Sequence, residues 1–356
     1  MEHVLQQFKQ RIVEAGVSKT PLRLRGGGTK DWYGQALDGE ILDTREYRGI
    51  VAYDPTELVI TARCGTPLAE IEAVLAERNQ VLAFEPPRYG ADSTIGGAVA
   101  SGLSGPRRQA AGAVRDFVLG ATLMDGKGEV LRFGGRVMKN VAGYDVARVL
   151  AGSLGILGLM LEVSLKVLPR PFFETTLRFD GIGKTAAIER LNQWGGEPLP
   201  ISASAWHGRV LIVRLSGAPA AVEAAAARLG GERVDDAPAL WNGLRDQTND
   251  FFAATSEPAA LWRLSLPSAT PPLRIAGEQL FEWGGAQRWL RTEADAATLR
   301  EAARKVGGHA TLFRGGDKGV GVFQPLAPAA AAIHRRLKNV FDPAGIFNRG
   351  RMYPDI

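Results

Sequence analysis

The chain has 356 residues, 45% apolar and 23% charged, with a formal net charge of +5. That balance belongs to a folded globular protein with a sizeable core and excludes extended disorder. A positive excess suits an anionic ligand or an acidic partner; scattered arginines without a helix-turn-helix, RNP or zinc-finger pattern lead us to expect no nucleic-acid partner.

The first segment, MEHVLQQFKQRIVEAG, alternates apolar and charged residues at helical spacing and lacks the apolar core of a signal peptide, so export is not expected. The longest apolar run, Leu154 to Leu161, is too short to cross a bilayer, and any membrane association is expected to be peripheral. A short strand-like LRLR then leads into Arg25, Gly26, Gly27, Gly28 and Thr29. Glycines let several backbone N–H groups converge on an anion, yet the run fits neither GxxxxGK[ST] nor a dinucleotide fingerprint. Alone it equally fits a glycine-rich surface turn. The strand LVITARCG follows and ends near Cys64, the one cysteine. A single thiol excludes an intrachain disulfide, an iron–sulfur cluster on cysteine ligands and structural zinc, and Cys64 is read as core. TPLAEIEAVLAERN predicts a helix capped by Thr66, with Leu68, Ile71, Val74 and Leu75 on one face.

A second glycine set runs from Asp92 to Gly112. Ser93 and Thr94 enter a short helix beginning at Ile95, whose N-terminus suits phosphate. The small residues Gly96, Gly97, Ala98, Ala100, Ser101 and Gly102 imply that something packs closely here, a neighbouring helix being the plain alternative. Asp116 to Gly134 predicts an antiparallel hairpin turning at Asp125 to Gly128. A third set spaces Gly152, Gly155 and Gly158 three apart before the strand EVSLKVL, which stops at Pro169 and Pro171.

A new rhythm follows: strands at Phe173–Phe179, Ser202–Trp206 and Val210–Leu215, helices at 185–194 and up to Leu229, like a split β-α-β unit. After a less regular stretch, 235–258, come LWRLSLP, QRWLRT, a helix over 295–306, HATLFRG, a last helix starting in Pro325 to Ala332, and the tail FDPAGIFNRGRMY. The four histidines, His3, His207, His309 and His334, stand isolated, no GxSxG elbow occurs, and no metal site is expected. Arg263, Trp283, Gln287, Arg288 and Trp289 are candidates for a cavity or interface, with core packing the more economical role. No catalytic residue is identifiable.

The series RGGGT, DSTIGGAVASG with GPRR, RDFVLGATLMDGKGEVL and NVAGYDVARVLAGSLGILG resembles the FAD-binding domain of the vanillyl-alcohol oxidase and p-cresol methylhydroxylase (PCMH) type, and within it the FAD-binding subunits of bacterial glycolate oxidase (glycolate dehydrogenase). The resemblance implies an α+β fold: a two-part PCMH-type FAD-binding domain over 1–172, an α+β cap domain of antiparallel sheet and helices over 173–324, and a C-terminal segment, 325–356, returning to the flavin domain. It implies that Arg25 to Thr29 with Asp92, Ser93 and Thr94 wrap the FAD pyrophosphate, and that Gly96, Gly97, Gly102 and Gly155 belong to the same binding set. Leu103 and Leu159 would lie along the nucleotide, with backbone groups of Gly158 and Leu159 reading adenine. Asn348 and Arg351 would approach the flavin ring, Arg351 near N1 and O2, and Tyr144 with Asp145 would anchor the third loop.

Relatives that hold FAD covalently carry histidine in the first loop, where Gly28 stands, so FAD is expected to be noncovalent. The partners implied are a second flavoprotein subunit and an iron–sulfur subunit, passing electrons from glycolate or D-lactate toward membrane quinone. The location implied is cytoplasmic, at the inner face of the membrane through the complex. Related hydroxy-acid dehydrogenases use a histidine-rich segment that this chain lacks, which favours electron relay or structural support over substrate oxidation here. The alternative is a stand-alone FAD-dependent alcohol or 2-hydroxy-acid oxidase, with Arg263 or Arg288 gripping a carboxylate.

Overall fold

The structure, a computed structural model, describes residues 1–135, 145–253 and 260–356. The expectation for Tyr144 therefore falls outside the described residues. Two compact units emerge: Met1–Leu103 with Ala113–Pro169 and Pro325–Ile356, and Ser104–Gly112 with Arg170–Gln324.

The first unit opens with helix Glu2–Ser18, which buries Phe8, Ile12 and Ala15 at the spacing of one helical face. Strands β1 (Leu22–Arg25) and β2 (Glu40–Asp43) pair in parallel, and Phe347 of the tail bridges to Leu22. Ile346 and Phe347 are fully buried in one core with Phe8, Ile12, Leu22, Leu42 and Leu159. The remaining strands of this unit are β3 (Ile50–Asp54), β4 (Val59–Arg63), β5 (Gln80–Val81), β6 (Val118–Met124), β7 (Val130–Gly134), β8 (Leu159–Lys166) and β9 (Leu168–Pro169). Five of them form an antiparallel sheet in the order β3-β4-β8-β6-β7. β4 and β8 lie inside the sheet with both faces largely buried.

One cap differs from expectation. Helix Leu68–Ala76 starts after Pro67 without a side-chain cap. Thr66 Oγ1 instead accepts from Gly49 N at 2.8 Å and donates to Arg63 O at 2.7 Å. The hydroxyl is spent on closing the turn after β4. Cys64 is buried, and burial pushes its thiol pKa well up, so it is an inert core side chain.

The last helix, Pro328–Phe341, is bound to the first unit through a buried ion pair. Lys338 Nζ donates to Asp342 Oδ2 at 2.7 Å, Ile156 O at 2.7 Å and Phe347 O at 2.8 Å. Asp342 also accepts from the amides of Ile346 and Phe347, at 3.0 and 2.8 Å.

The second unit is an eight-stranded antiparallel sheet. Its strands are β10 (Phe173–Phe179), β11 (Ile201–His207), β12 (Val210–Gly217), β13 (Glu232–Arg233), β14 (Ala260–Ser265), β15 (Glu278–Glu282), β16 (Gln287–Thr292) and β17 (His309–Arg314), ordered β13-β10-β12-β11-β15-β16-β14-β17. Helices Lys184–Gly195 and Pro219–Leu229 supply Ile188, Leu191 and Val222 to a core with Leu177, Leu211 and Phe281. Helix Ala296–Lys305, capped by Asp295 through Thr298 N at 2.9 Å, brings Leu299 and Ala303 against Trp262, Leu264 and Leu312. The stretch expected to be irregular holds helix Ala237–Arg245, capped by Asp236 and burying Trp241 and Leu244. Its Pro238 sits in the first turn, where a missing N–H costs nothing.

Lys338→Met removes the cation and leaves Asp342 charged and buried. We expect it to lower the stability of the chain by about 3–5 kcal/mol, measured as a shift of the urea unfolding midpoint; an unchanged midpoint contradicts a structural role for the pair.

Candidate functional site

β1 ends at Arg25, and the loop that follows is half-buried. The amides of Gly26, Gly27, Gly28 and Thr29 find no hydrogen-bond partner among the described residues. Four adjacent orphan donors form the sort of nest that binds an anion. The need for glycine has a separate origin. A Cβ on Gly27 would lie 1.6 Å from Asp92 O, and one on Gly26 would lie 2.4 Å from Thr94 Oγ1. The first and second loops thus touch through bare backbone.

Charge gathers around the nest. Asp31 accepts from Arg23 at 2.5 Å and Arg25 at 2.8 Å. Lys30 Nζ reaches Ser93 Oγ at 2.8 Å, Arg88 O at 3.3 Å and Thr29 Oγ1 at 3.4 Å. Arg351, buried, donates to Gln35 O at 2.9 Å, Asp31 O at 2.9 Å and Lys30 O at 3.2 Å. Burial pushes its pKa down to about 10, still far above neutrality, so the guanidinium keeps its charge.

The short helix Ile95–Ser101 makes a different contribution from the one its sequence suggests. Ile95 N donates to Thr66 O at 2.9 Å and Gly96 N to Cys64 O at 2.9 Å. Gly97 N donates to Thr94 Oγ1 at 3.2 Å and Ala98 N to Thr94 O at 3.0 Å. Its first four amides are all used inside the protein.

The small residues of the second and third sets serve close backbone contacts. A Cβ on Gly96 would meet Cys64 Cβ at 2.6 Å, one on Gly102 would meet Gly152 Cα at 2.7 Å, and one on Gly158 would meet Met124 O at 2.8 Å. Gly155 leaves room for Asn348, whose Nδ2 would lie 2.7 Å from an added Cβ. Asn348 ties three segments together: its Oδ1 accepts from Leu24 N at 2.8 Å and its Nδ2 donates to Leu154 O at 2.6 Å.

These elements enclose a cavity of about 90 Å³. It gathers Arg25 to Thr29, Ser93, Thr94, Gly97, Asn348 and Arg351 from the predicted set. Asp92 lines an adjoining cleft of about 960 Å³ that shares Thr94 with it. Gly96, Gly102, Leu103, Gly155, Gly158 and Leu159 line neither; Leu103 and Leu159 are core side chains. Lys30 and Leu154 line the cavity and were not singled out in the sequence. The available signal was a cation directly after the glycine loop. Arg25, Lys30 and Arg351 against Asp31 leave the lining cationic. Since a water molecule takes up about 30 Å³ of liquid, the smaller cavity has the size of a phosphate group, and the adjoining cleft has room for more of a ligand.

In the second unit the polar candidates turn out to be structural. Gln287 and Trp289 both donate to Glu282 Oε2, at 3.0 and 2.6 Å, in the sheet interior. Buried Arg288 donates to the carbonyls of Gly285, Pro271 and Thr270. Trp283 donates to Gly105 O at 3.1 Å beneath the Arg108 guanidinium, and Arg263 lies over the Phe313 ring. His207 is 2.7 Å from Glu278, and His334 Nδ1 lies 2.8 Å from Ala330 O. Among the described residues no three His, Cys, Asp or Glu side chains converge as a metal set.

Residues 5–134 match the family described as FAD binding domain. The chain is 48% identical to the glycolate oxidase subunit GlcE of Escherichia coli (strain K12), over 99% of this chain and 98% of that one. It is 32% identical to the glycolate oxidase subunit GlcD of Bacillus subtilis (strain 168) over 45% of this chain and 34% of that one. A D-lactate dehydrogenase of Archaeoglobus fulgidus is 24% identical over 95% of this chain and 87% of its own length. Among solved structures, an alkyldihydroxyacetonephosphate synthase shares the fold, with a TM-score of 0.66 and 15% identity, covering 96% of this chain and 73% of the synthase.

Gly27→Ala drives a methyl group into the Asp92 carbonyl and forces the first two loops apart. We expect a loss of about 1–3 kcal/mol, seen as a lower melting temperature; a melting curve that does not move contradicts the contact.

Proposed function

We infer the role of this chain from one premise: it belongs to the family of the glycolate oxidase subunit GlcE and is an FAD-dependent oxidoreductase subunit of that type. The observation that carries the proposal is the set of four unpaired amides, Gly26 to Thr29, in a cationic lining of phosphate size. We assign to them the pyrophosphate of a noncovalently bound FAD, with Ser93 and Thr94 completing the seat. The reading of FAD as noncovalently bound rests on Gly28, which stands in the first loop where relatives with covalent FAD carry histidine. Bound there, FAD supplies two-electron redox chemistry that no side chain of the chain can.

The protein's own residues bind and orient. Asn348 holds the tail against β1 and the third loop, and through it Arg351 is fixed on the cavity wall. With FAD bound, Arg351 would stand near N1 and O2 of the ring, where its charge would favour negative charge. Adenine would extend from the seat toward Gly158 and Leu159.

We propose further that the chain works beside a second flavoprotein subunit and an iron–sulfur subunit, relaying electrons from glycolate or supporting their transfer, with D-lactate as the related substrate. A single cysteine gives this chain no cluster of its own, so onward transfer calls for another protein or a diffusible acceptor. Contact with the inner face of the cytoplasmic membrane would come through the assembly; no helix among the described residues is long and apolar enough to cross a membrane. The alternative, a stand-alone hydroxy-acid oxidase, would use Arg263 or Arg288 to grip the substrate carboxylate; Arg288 is held by three carbonyls and Arg263 lies over the Phe313 ring.

The test is an absorption spectrum of the purified chain loaded with FAD. We expect acid precipitation to release all flavin into the supernatant, anaerobic glycolate to leave the visible bands in place, and dithionite to bleach them. Flavin that stays with the pellet overturns noncovalent binding, and bleaching by glycolate alone overturns the relay.

A further inference from the structure

A diphosphate needs more than four amides. The helix beginning at Ile95 offers none of its own, since its first four are spent on Thr66, Cys64 and Thr94. The three cations lining the cavity all have partners within the protein: Arg25 is held by Asp31, Arg351 by three carbonyls, and Lys30 by Ser93, Thr29 and the Arg88 carbonyl. The third, Lys30, is differently placed. It stands directly after the glycine loop, and its ammonium reaches across to Ser93 and to the Arg88 carbonyl, 5.5 Å from the Tyr89 ring centre.

The segment it reaches is strained and anchored. Glu85 and Tyr89 sit at φ +48° and +53°, in the left-handed region that non-glycine residues avoid, and Arg88 is paired with Glu72. A Cβ on Gly90 would lie 3.0 Å from Thr29 Cγ2. This strained turn is thus packed against the glycine loop where Lys30 bridges the two. A lysine ammonium is a compact charge on a flexible stem, so it can move from a hydroxyl to a phosphate oxygen without disturbing either loop.

We propose that Lys30 is the countercharge of the diphosphate seat: the amides of Gly26 to Thr29 and the Lys30 ammonium together recognise a two-phosphate ligand and set the preference for FAD over a flavin without phosphate. This rests on the FAD assignment above.

The test compares wild type, Lys30→Gln and Lys30→Arg, titrated with FAD and with riboflavin by flavin fluorescence, at low and high salt, and with ADP as competitor. Removing one charge-assisted hydrogen bond is expected to weaken FAD binding and ADP competition in Lys30→Gln by about 10- to 100-fold. Riboflavin affinity should not change, Lys30→Arg should keep most of the FAD affinity, and the salt dependence seen in wild type should flatten in Lys30→Gln. Equal FAD and ADP affinities in wild type and Lys30→Gln overturn the proposal while leaving the FAD site standing. A parallel loss of FAD and riboflavin shows a merely structural bridge and also overturns it. Wild type that binds neither flavin sinks the FAD assignment and the inference together.

Discussion

The buried pair of Lys338 and Asp342 is the constraint on which the site depends. Two charges taken out of water are tolerable only when their remaining donors and acceptors are met. Here the ammonium has three oxygen partners, and the carboxylate takes two backbone amides besides. Those partners are not incidental. Ile156 belongs to the third glycine set and Phe347 to the tail, so one ammonium fixes both segments. Asn348 and Arg351 follow within a few residues and inherit that position. A hydrophobic contact would have bound the tail as tightly, but without the directional bonds that fix its register.

The three glycine sets show what was legible in the sequence and what was not. Close approach at 26–28, 96–102 and 152–158 could be read from missing side chains, and the loops do meet. What approaches could not be read, because the partners lie far apart in the chain: Asp92 against Gly27, Gly152 against Gly102, Asn348 against Gly155. Glycine is therefore explained by protein contacts at most of these positions. In the first loop four adjacent amides, Gly26 to Thr29, remain unpaired among the described residues, a feature that depends on tertiary hydrogen bonds. The hairpin at 118–134 and the strands of the second unit were plain, since they rest on local period and turn chemistry.

The polar side chains of the second unit were harder to place. Arg288, Gln287 and Trp289 stand next to one another, and such a run suggests a binding surface. In the sheet, alternation divides them: Gln287 and Trp289 point to one face and share the Glu282 carboxylate, while Arg288 points to the other and bonds to the carbonyls at 270, 271 and 285. Period 2 was visible in the sequence; the buried acceptors on each face were not. The histidines, isolated in the sequence, meet partners through the fold: His207 meets Glu278 across neighbouring strands and the Phe251 ring, and His334 meets Ala330 O and the Tyr353 ring.

A division of labour follows for the site itself. Backbone amides and a carbonyl-held arginine are fixed dipoles and charges, which stabilise a ligand without reorganising when it arrives. Lys30 is the flexible member, joined to both loops, so its movement alone lets the seat pass from an internally bonded state to one that holds phosphate. That arrangement keeps the loops in register through the strained turn at 85–90 and confines adjustment to one side chain. On the proposed reading, a rigid scaffold of amides and a carbonyl-held arginine would set the place of the phosphates, and the lysine would supply the charge that meets them.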